Sequence, residues 1–385
     1  MKKHIYWGKF ARVALETKHI DYNGRLCMAS AATGANLTFG MDRGFTNTIQ
    51  EISNTRCIIL AGTNIAECQP TIMPYFEKAK ENGAYIIAID PRETSTTKLA
   101  DLHLKNKPGT DAVLANGILK IMIDLDLLDH PFIAKRTENF ADVKSYVQSL
   151  NLDEISKITG ITLDDLYETA LVFGKETSGM IFTARGIEQQ INGTDTVRSF
   201  LNLLLATGKI GKRNSGYGAI TGQGNGQGAR EHGQKADQLP GYRSIEKEED
   251  RRYIAGVWGG IDEKSLPTKG VSAYEMFEKV NDEEITCMFV MCSNPIVSNP
   301  NANLIQQALN KLKCLIVVDL FLSETAKLAD LVLPTTSYLE DEGTVTNVEG
   351  RVMLREASYP IQGEAKHDWE ILCDISKKMG EREVF

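Results

Sequence analysis

Two matching sets of polar residues follow short apolar runs at distant places in the chain. They are Asn64 and Asp90 in the first set, and Asn294 and Asp319 in the second. The two asparagines are 230 positions apart and the two aspartates 229. In dinucleotide-binding folds a carboxylate at a strand end commonly accepts hydrogen bonds from a ribose or a base, and an asparagine there offers further specific hydrogen bonds. The duplicated set therefore predicts one ligand with two similar halves, or two similar ligands.

The elements that must position these residues form a repeated α/β pattern. Apolar runs at 57–61 and 85–89, and again within the stretches 286–294 and 314–319, predict buried parallel strands separated by crossover helices. The fold class predicted is α/β, with two similar doubly wound (αβα sandwich) domains related by an internal repeat. We expect an N-terminal remnant (1–24), a first dinucleotide-binding domain (25–235), a connecting segment (236–270) and a second such domain (271–385).

Further candidate residues lie in loops at these strand ends. Gly62 would allow close approach of backbone, and Glu67 offers a hydrogen bond. Arg92 could reach a phosphate, although Asp90 and Arg92 could instead cap a helix. The turn 107–111, with Gly109 and Asp111, could likewise be pure capping.

Two other stretches have a structural and a functional interpretation. Cys27 lies in a run of small residues that could open a helix, where backbone N–H groups favour a thiolate, yet free cysteines are usually inert core fillers. Residues 216–233 contain seven glycines in eighteen positions. They could form a flexible linker, or a loop whose bare backbone packs against a large flat ligand. The segment has no P-loop, and its match to GxGxxG is weak, without a preceding strand pattern. We expect 234–270 to be irregular.

Composition excludes several classes of protein. The 385 residues, 42% hydrophobic and 24% charged, are ordinary for a soluble globular protein. A net charge of −8 argues against a nucleic-acid binder, and no apolar run is long enough for a membrane span. The seven cysteines form no CxxC motif, and no secretory signal is visible, so a reducing cytoplasm is expected.

Taken together, seven motifs resemble the molybdopterin oxidoreductases, and within them most closely the assimilatory nitrate reductases. The motifs are residues 26–31 (LCMASA), 62–67 (GTNIAE), 90–92 (DPR), 107–111 (KPGTD), 221–230 (TGQGNGQGAR), 293–295 (SNP) and 343–351 (GTVTNVEGR). The resemblance covers nearly the whole chain. It implies molybdenum held by two molybdopterin guanine dinucleotides, one in each of two similar domains.

The resemblance also implies roles for individual residues. Cys27 would supply a thiolate to molybdenum, with Met28 beside it, and Arg230 would lie near the substrate funnel. One guanine dinucleotide would be held by Gly62, Asn64, Glu67, Asp90, Arg92, Gly109 and Asp111. The other would be held by Ser293, Asn294 and Asp319. The pterin would be contacted by Gln189 and Gln223.

The implied chemistry is oxygen-atom transfer that reduces nitrate to nitrite, with electrons from a redox partner such as ferredoxin, flavodoxin or an NADH-dependent subunit. Formate dehydrogenases have the same fold but place His after the metal-binding residue and Arg before the Gly-Gln of the loop, where this chain has Met28 and Thr221. The family also has an N-terminal [4Fe–4S] domain whose cysteine ligands are absent here, and a C-terminal domain. The resemblance therefore implies a central fragment, whose alternative function is a non-catalytic molybdopterin-binding module.

Overall fold

A computed structural model describes residues 7–42, 44–259 and 261–380 of the chain. The chain comprises two compact units. The Cys27 unit comprises Cys27–Gln223 and Val348–Arg351. The Asn294 unit comprises Gly224–Asn347, Val352–Phe385 and the N-terminal segment Met1–Leu26, as far as these are described.

Twelve strands are found in the described residues. In chain order β1 to β12 are Cys57–Ala61, Tyr85–Ile89, Leu102–Leu104, Gly179–Thr183, Gly216–Ala219, Gln238–Leu239, Arg243–Ser244, Cys287–Met291, Cys314–Asp319, Leu331–Pro334, Gly343–Thr346 and Val352–Arg355. The predicted strands of both repeats are therefore confirmed.

Eighteen α-helical segments accompany these strands in the described residues. In chain order α1 to α18 are Gly24–Cys27, Ala29–Phe39, Ile49–Ile52, Ile65–Cys68, Met73–Glu81, Asp111–Asp124, His130–Arg136, Phe140–Gln148, Leu152–Thr159, Leu163–Lys175, Arg185–Glu188, Gly193–Ala206, Gly226–Arg230, Glu248–Trp258, Ala273–Asn281, Pro295–Ser298, Ala302–Lys311 and Asp368–Met379. A π-helical turn spans Phe10–Ala14, and 3₁₀ turns span Thr97–Leu99 and Ala326–Leu328. No helix in the described residues is long and apolar enough to cross a membrane.

The Cys27 unit is built on a five-stranded parallel sheet of order β3-β2-β1-β4-β5. Every residue of β1 is buried, which explains its uninterrupted apolar sequence. Alternate side chains enter different cores: Ile59 packs on the side of α6, α10 and α12, whereas Ile58 and Leu60 pack with Phe76 of α5. This is the αβα sandwich predicted from the sequence.

The Asn294 unit contains a three-stranded parallel sheet of order β10-β9-β8, which matches the order β3-β2-β1. Val290 and Val317 pack with Ile305 of α17 on one face. On the other face Phe289 packs with Phe10 and other apolar side chains of the N-terminal and C-terminal segments. The internal repeat of the sequence is therefore a repeat of three strands and their crossovers.

Three predictions about local structure were wrong. Charged residues on one face and apolar residues on the other predict one helix over 131–150, but α7 ends at Arg136 and α8 begins only after Asn139, which takes a left-handed conformation. Residues 234–270 are not irregular: they contain α14 and the hairpin of β6 and β7. Residues 216–233 are not one loop, since β5 and α13 lie within them, so a strand does precede the weak glycine motif.

Candidate functional site

The order of the strands identifies the ligand edge of the Cys27 unit. The sheet extends from β1 in two directions, so the crevice between the carboxyl ends of β1 and β4 is the topological switch point where doubly wound sheets bind ligands. Here Gly62 has a φ of +61°, and its carbonyl accepts a hydrogen bond of 3.1 Å from the backbone N–H of Gly186. A Cβ on Gly62 would lie 2.6 Å from the backbone nitrogen of Ile187. The close approach predicted for Gly62 is thus made by the loop after β4.

Asn64 joins two loops at this edge. Its side-chain amide donates to Glu67 Oε2 at 2.9 Å, and its Oδ1 accepts from the hydroxyl of Thr96 at 3.1 Å. The Thr96 hydroxyl oxygen in turn accepts from the backbone N–H of Ala66 at 3.0 Å. Asn64 and Glu67, both predicted site residues, are therefore in direct contact, and Thr96 ties Asn64 to the neighbouring loop.

Asp90 directly follows β2, at the same edge of the sheet as Asn64. It is buried, and its Oδ1 accepts the backbone N–H of Arg92 at 2.8 Å. The Arg92 side chain is 72% exposed, with Nε 4.0 Å from Asp90 Oδ1. An exposed guanidinium beside a hydrogen-bonded carboxylate suits an anionic ligand that approaches from solvent.

The turn before α6 is tied to the loop after β4. Asp111 is buried, and burial raises its pKa. Its carboxylate accepts from Asn106 at 3.0 Å and from Gln190 Nε2 at 3.4 Å. Gln190 also donates to the carbonyl of Gly186 at 2.7 Å, and a Cβ on Gly109 would lie 3.3 Å from its Oε1. Asp111 does more than cap a helix, because it connects the turn to the switch-point crevice.

Cys27 has a cationic neighbour that the sequence analysis did not identify. Cys27 is half-buried as the last residue of α1, and the buried Met28 separates it from α2. Arg185 Nη1 lies 3.5 Å from the Cys27 sulfur. A guanidinium at hydrogen-bond distance stabilises negative charge on sulfur, which a metal-binding or nucleophilic cysteine requires.

A buried acid holds this arginine in place. Glu188, only 1% exposed, forms an ion pair with Arg185 and accepts a 2.7 Å hydrogen bond from Thr183. The Thr183 hydroxyl is also 2.7 Å from the hydroxyl of Tyr217. Burial raises the pKa of Glu188, and the adjacent Arg185 opposes that rise. These contacts run from Tyr217 through Thr183 and Glu188 to Arg185, and they place the Arg185 guanidinium at the Cys27 sulfur.

The two glutamines predicted to contact the pterin are both exposed. Gln189 follows α11, and its backbone N–H donates to the carbonyl of Arg185 at 3.1 Å. Gln223 is the last residue of the main segment of the Cys27 unit. Their role as pterin contacts stays a prediction.

The Asn294 unit reproduces the asparagine arrangement at the end of β8. Asn294 Oδ1 accepts from the hydroxyl of Thr325 at 2.7 Å, and its amide donates to Glu324 Oε2 at 2.7 Å. Hydrogen bonding from Asn294 lowers the pKa of Glu324. Thr325 corresponds to Thr96, but the carboxylate comes from a different loop than Glu67 does. Both units therefore have the asparagine–threonine hydrogen bond, but the carboxylate that accepts from the asparagine is Glu67 in one unit and Glu324 in the other.

The other predicted residues of this unit lie nearby. Asp319 closes β9, where its carboxylate accepts from the Leu320 backbone at 2.7 Å and from the Ser323 hydroxyl at 2.9 Å. Ser293 is half-buried between Asn294 and Cys292, and Cys292 has a φ of +50° at the position of Gly62. Both strand ends thus present polar groups at the carboxyl edge.

Arg230 lies in the same unit, at the end of α13. It is 5% exposed and its guanidinium donates to Gln227, whose amide donates to the hydroxyl of Tyr242 at 3.2 Å. Preceding α13, Asn225 accepts the backbone N–H of Thr346 at 2.9 Å. These bonds give the glycine-rich stretch a defined conformation, which contradicts the flexible-linker interpretation.

Arg12 is a second residue that the sequence analysis missed. It is 1% exposed and donates to the carbonyls of Gly233, Lys235 and Gln238 at 2.7, 2.7 and 2.8 Å. Burial lowers its pKa to about 10. An arginine from the N-terminal segment therefore fixes the stretch that follows Arg230.

Some of the missed residues had a detectable signal. Thr96 and Thr325 are 229 positions apart, like the aspartates of the repeat, so the offset could have identified them. Arg185 lies two residues after β4. Ligands of doubly wound sheets bind at the carboxyl ends of the strands, so its position was a signal of the same kind. For Arg12 and Gln190 the sequence carries no such signal, because their partners are backbone carbonyls or residues far along the chain.

A cavity of about 470 Å³ lies away from these residues. Its walls include Glu176, Lys209 and Lys212, which precede β4 and β5 in the chain. It is therefore near the amino ends of these strands, opposite the edge formed by Gly62 and Asn64, and it does not belong to the predicted site.

The arrangement offers two similar edges that present asparagine, aspartate and backbone groups, together with a thiol whose neighbour is a cation. Such edges suit nucleotides, and a soft thiolate suits a transition metal. No group of three metal-ligating His, Cys, Asp or Glu side chains occurs within the described part of the chain.

Comparison with known proteins agrees with this description. The family model for molybdopterin oxidoreductase matches residues 1–378. The assimilatory nitrate reductase catalytic subunit of Bacillus subtilis is 67% identical over 378 residues, covering 98% of this chain and 53% of that protein. The F420-dependent formate dehydrogenase subunit alpha of Methanocaldococcus jannaschii is 37% identical over 98% of this chain and 55% of its own length. The nitrate reductase of Synechocystis is 35% identical over 97% and 52%.

Among solved structures, acetylene hydratase from Pelobacter acetylenicus superimposes with a TM-score of 0.80 at 22% identity. The alignment covers 99% of this chain and 54% of that chain, and it supports the fold alone. The chain spans about half the length of the curated relatives that it matches. The family model and the repeat of strand-end residues agree, and the chain belongs to the molybdopterin oxidoreductase family.

Proposed function

We propose that the chain provides the dinucleotide-binding part of a molybdenum enzyme that reduces nitrate to nitrite, with a cofactor of two molybdopterin guanine dinucleotides. The observation that carries the proposal is the duplicated asparagine contact. Asn64 with Thr96, and Asn294 with Thr325, repeat one hydrogen-bonding pattern at two sheet edges. Two matching edges suit a cofactor whose two nucleotide halves are chemically identical.

The residues present fit such a cofactor. The Thr63 hydroxyl oxygen, in the loop after β1, is buried and has no hydrogen-bond partner among the described residues. A buried polar atom without a partner is costly in a folded protein, and a ligand at this loop would relieve that cost. Cys27 adds a soft sulfur donor of the kind that suits a transition metal.

Each edge would hold one nucleotide half through its own residues. In the Cys27 unit, the fixed Asp90 would accept hydrogen bonds while the exposed Arg92 pairs with a phosphate, and Gly109 and Asp111 would border the same site. In the Asn294 unit, Ser293 and Asp319 would act in the same way. Gln189 and Gln223 are proposed to contact the pterin.

Cys27 is proposed as the protein ligand to molybdenum. When bound, the molybdenum cofactor supplies the two-electron chemistry that converts nitrate, two protons and two electrons into nitrite and water. Arg185 stabilises the negative charge of the thiolate, and Glu188 holds Arg185 in position. Arg230 is a buried guanidinium whose planar donors match the geometry of nitrate.

Two observations favour nitrate over formate as the substrate. The nitrate reductase of Bacillus subtilis is 67% identical, whereas the formate dehydrogenase subunit of Methanocaldococcus jannaschii is 37% identical over the same share of the chain. Met28 and Thr221 also occupy the positions where formate dehydrogenases have His and Arg. The two electrons would come from a redox partner, in a reducing cytoplasm that suits seven unpaired cysteines.

The test uses the purified chain from a host that makes the pterin cofactor. Molybdenum is measured by mass spectrometry, pterin by its fluorescence after oxidation, and nitrite formation with a reduced viologen as electron donor. We expect bound molybdenum, bound pterin and nitrite formation, with all turnover lost in Cys27→Ala. Formate-dependent reduction of the oxidised viologen, tested in parallel, should be absent.

Each outcome separates a different part of the proposal. Cofactor without nitrite formation would support a binding module and contradict catalysis by this chain. Formate oxidation would indicate that the chain functions as a formate dehydrogenase and not as a nitrate reductase. The matched control is Cys68→Ala, an exposed cysteine on α4, which should keep both cofactor and turnover. Full activity in Cys27→Ala would rule out thiolate ligation.

A further inference from the structure

Two cysteines lie side by side on neighbouring strands of the Asn294 unit. Cys287 begins β8, Cys314 begins β9, and they are direct partners in the parallel register. Partner residues on adjacent strands point to the same face of a sheet. Both cysteines are free, Cys287 is exposed and Cys314 is half-buried. The pair is therefore accessible to solvent and to small reagents.

The face that carries the pair is only partly covered. Phe289 and Met291, two and four residues after Cys287 on the same face, pack with Phe10 and Leu372. Cys287 lies before this apolar cluster begins, so nothing in the described residues buries it. In the Cys27 unit the corresponding partners are Cys57 and Tyr85, and there Cys57 is 0% exposed. The same register thus produces an inert thiol in one unit and an accessible pair in the other.

Geometry permits a bond between the two sulfurs. Adjacent strands lie about 4.7–4.9 Å apart, within the range of about 4.4–6.8 Å that disulfide-bonded Cα atoms span. The spacing exceeds the usual Cβ separation of about 3.8 Å, so closing the bond needs a small local shift. A disulfide that imposes such a shift is readily reduced.

We propose that Cys287 and Cys314 form a reversible redox pair, which a low-molecular-weight disulfide such as oxidised glutathione converts into an intramolecular disulfide. The exposed Cys287 thiolate attacks the small disulfide, forming a mixed disulfide and releasing one small thiol. Cys314 then attacks the Cys287 sulfur and releases the second. Two protein thiols are oxidised, one small disulfide is reduced, and the two protons leave with the two released thiols.

The proposed bond joins the amino ends of the strands whose carboxyl ends carry Asn294 and Asp319. It is chemically independent of the molybdenum cofactor and of nitrate. Burial, then the proximity of Cys287, raise the pKa of Cys314, which agrees with Cys287 as the first thiol to react. The redox pair would link the stability of this sheet to the thiol balance of its surroundings.

The experiment is peptide mapping of the full chain. Reduced protein is treated with oxidised glutathione, remaining thiols are blocked with N-ethylmaleimide, and a tryptic digest is analysed by mass spectrometry. We expect a linked pair of peptides containing Cys287 and Cys314, two hydrogen atoms lighter than their sum, that disappears after dithiothreitol. Because Cys287 and Cys292 share one tryptic peptide, variants must assign the bond.

Cys287→Ser and Cys314→Ser should each abolish the linked pair, whereas Cys292→Ser should leave it intact. Loss of the pair in Cys292→Ser alone would overturn the assignment. Overturning outcomes also include stable mixed disulfides without closure, and a disulfide dimer of two chains on a non-reducing gel. Circular dichroism of each variant confirms that it is folded, so that absence of the bond is attributable to the missing thiol.

Discussion

Gly62 and Gly186 pack backbone against backbone at the switch point of the sheet, with the N–H of Gly186 donating to the carbonyl of Gly62 at 3.1 Å. A Cβ built on Gly186 would lie 2.6 Å from the Cα of Gly62. The contact sets the distance between the loop that carries Asn64 and the loop that carries Arg185. The close packing of the two loops is therefore possible only because Gly62 and Gly186 have no side chains.

The first prediction tests this contact. Gly186 lies in α11, where replacing glycine by alanine would ordinarily stabilise a helix by about 0.5–1 kcal/mol. We expect Gly186→Ala instead to lower the free energy of unfolding by about 1–3 kcal/mol, because neither backbone can yield easily. Urea denaturation followed by circular dichroism measures the change. Gly256→Ala in α14 is the control, since a Cβ there meets nothing within 4 Å and should stabilise. Equal effects at the two sites would contradict the prediction.

The second prediction concerns the thiol of Cys27. Removing the cation in Arg185→Met should slow alkylation of Cys27 by iodoacetamide several-fold near neutral pH, because the sulfur loses a guanidinium at hydrogen-bond distance. Arg185→Lys should recover part of the rate. Peptide mass spectrometry follows the reaction in the cofactor-free chain, with the exposed Cys68 as internal reference. Arg198→Met, an exposed arginine on α12, is the control variant. An unchanged Cys27 rate would show that Arg185 does not act on the sulfur.

The third prediction tests the second asparagine contact. Asn294→Asp keeps the acceptor for Thr325 but places a carboxylate 2.7 Å from Glu324, where an amide donated before. We expect a lower Tm from this repulsion. Adding Glu324→Gln restores a donor and should recover most of the loss. The prediction fails if the double variant melts no higher than Asn294→Asp. Differential scanning calorimetry measures all three proteins.

The fourth prediction is a pH dependence at the cavity. Burial lowers the pKa of Lys209 to about 8, whereas in the unfolded chain it returns to about 10.4. Between these values the unfolded chain binds a proton that the folded chain does not, so the free energy of unfolding rises with pH. Lys209→Met should therefore be more stable than wild type below pH 8, by on the order of 1 kcal/mol, with the advantage shrinking towards pH 10.

Urea denaturation at several pH values between 7 and 10 measures this difference. Lys135→Met, at an exposed position in α7, should show the same pH dependence as wild type. Parallel curves for Lys209→Met and wild type would mean that Lys209 has an ordinary pKa in the folded chain.

Much of the fold of the Cys27 unit could be predicted from the sequence because β1 and β2 are almost wholly buried. Such strands are short apolar runs, and β1 and β2 were predicted with their observed bounds. Helix ends were harder to predict from the sequence. The break between α7 and α8, for example, depends on the left-handed conformation of Asn139. The glycine-rich stretch was ambiguous because its order comes from distant partners, such as the bond between Asn225 and Thr346.

The sequence by itself determined that this protein has two similar α/β units, since a constant offset between Asn64 and Asn294 or Asp90 and Asp319 is visible without coordinates. Only the tertiary structure decided which groups these residues contact. Arg185 reaches Cys27 across 158 positions, and Arg12 reaches Gly233 across 221. Local sequence patterns record burial and backbone preference, which act between neighbours. Contacts between distant side chains depend on how the elements pack, and that is determined only when the whole chain has folded.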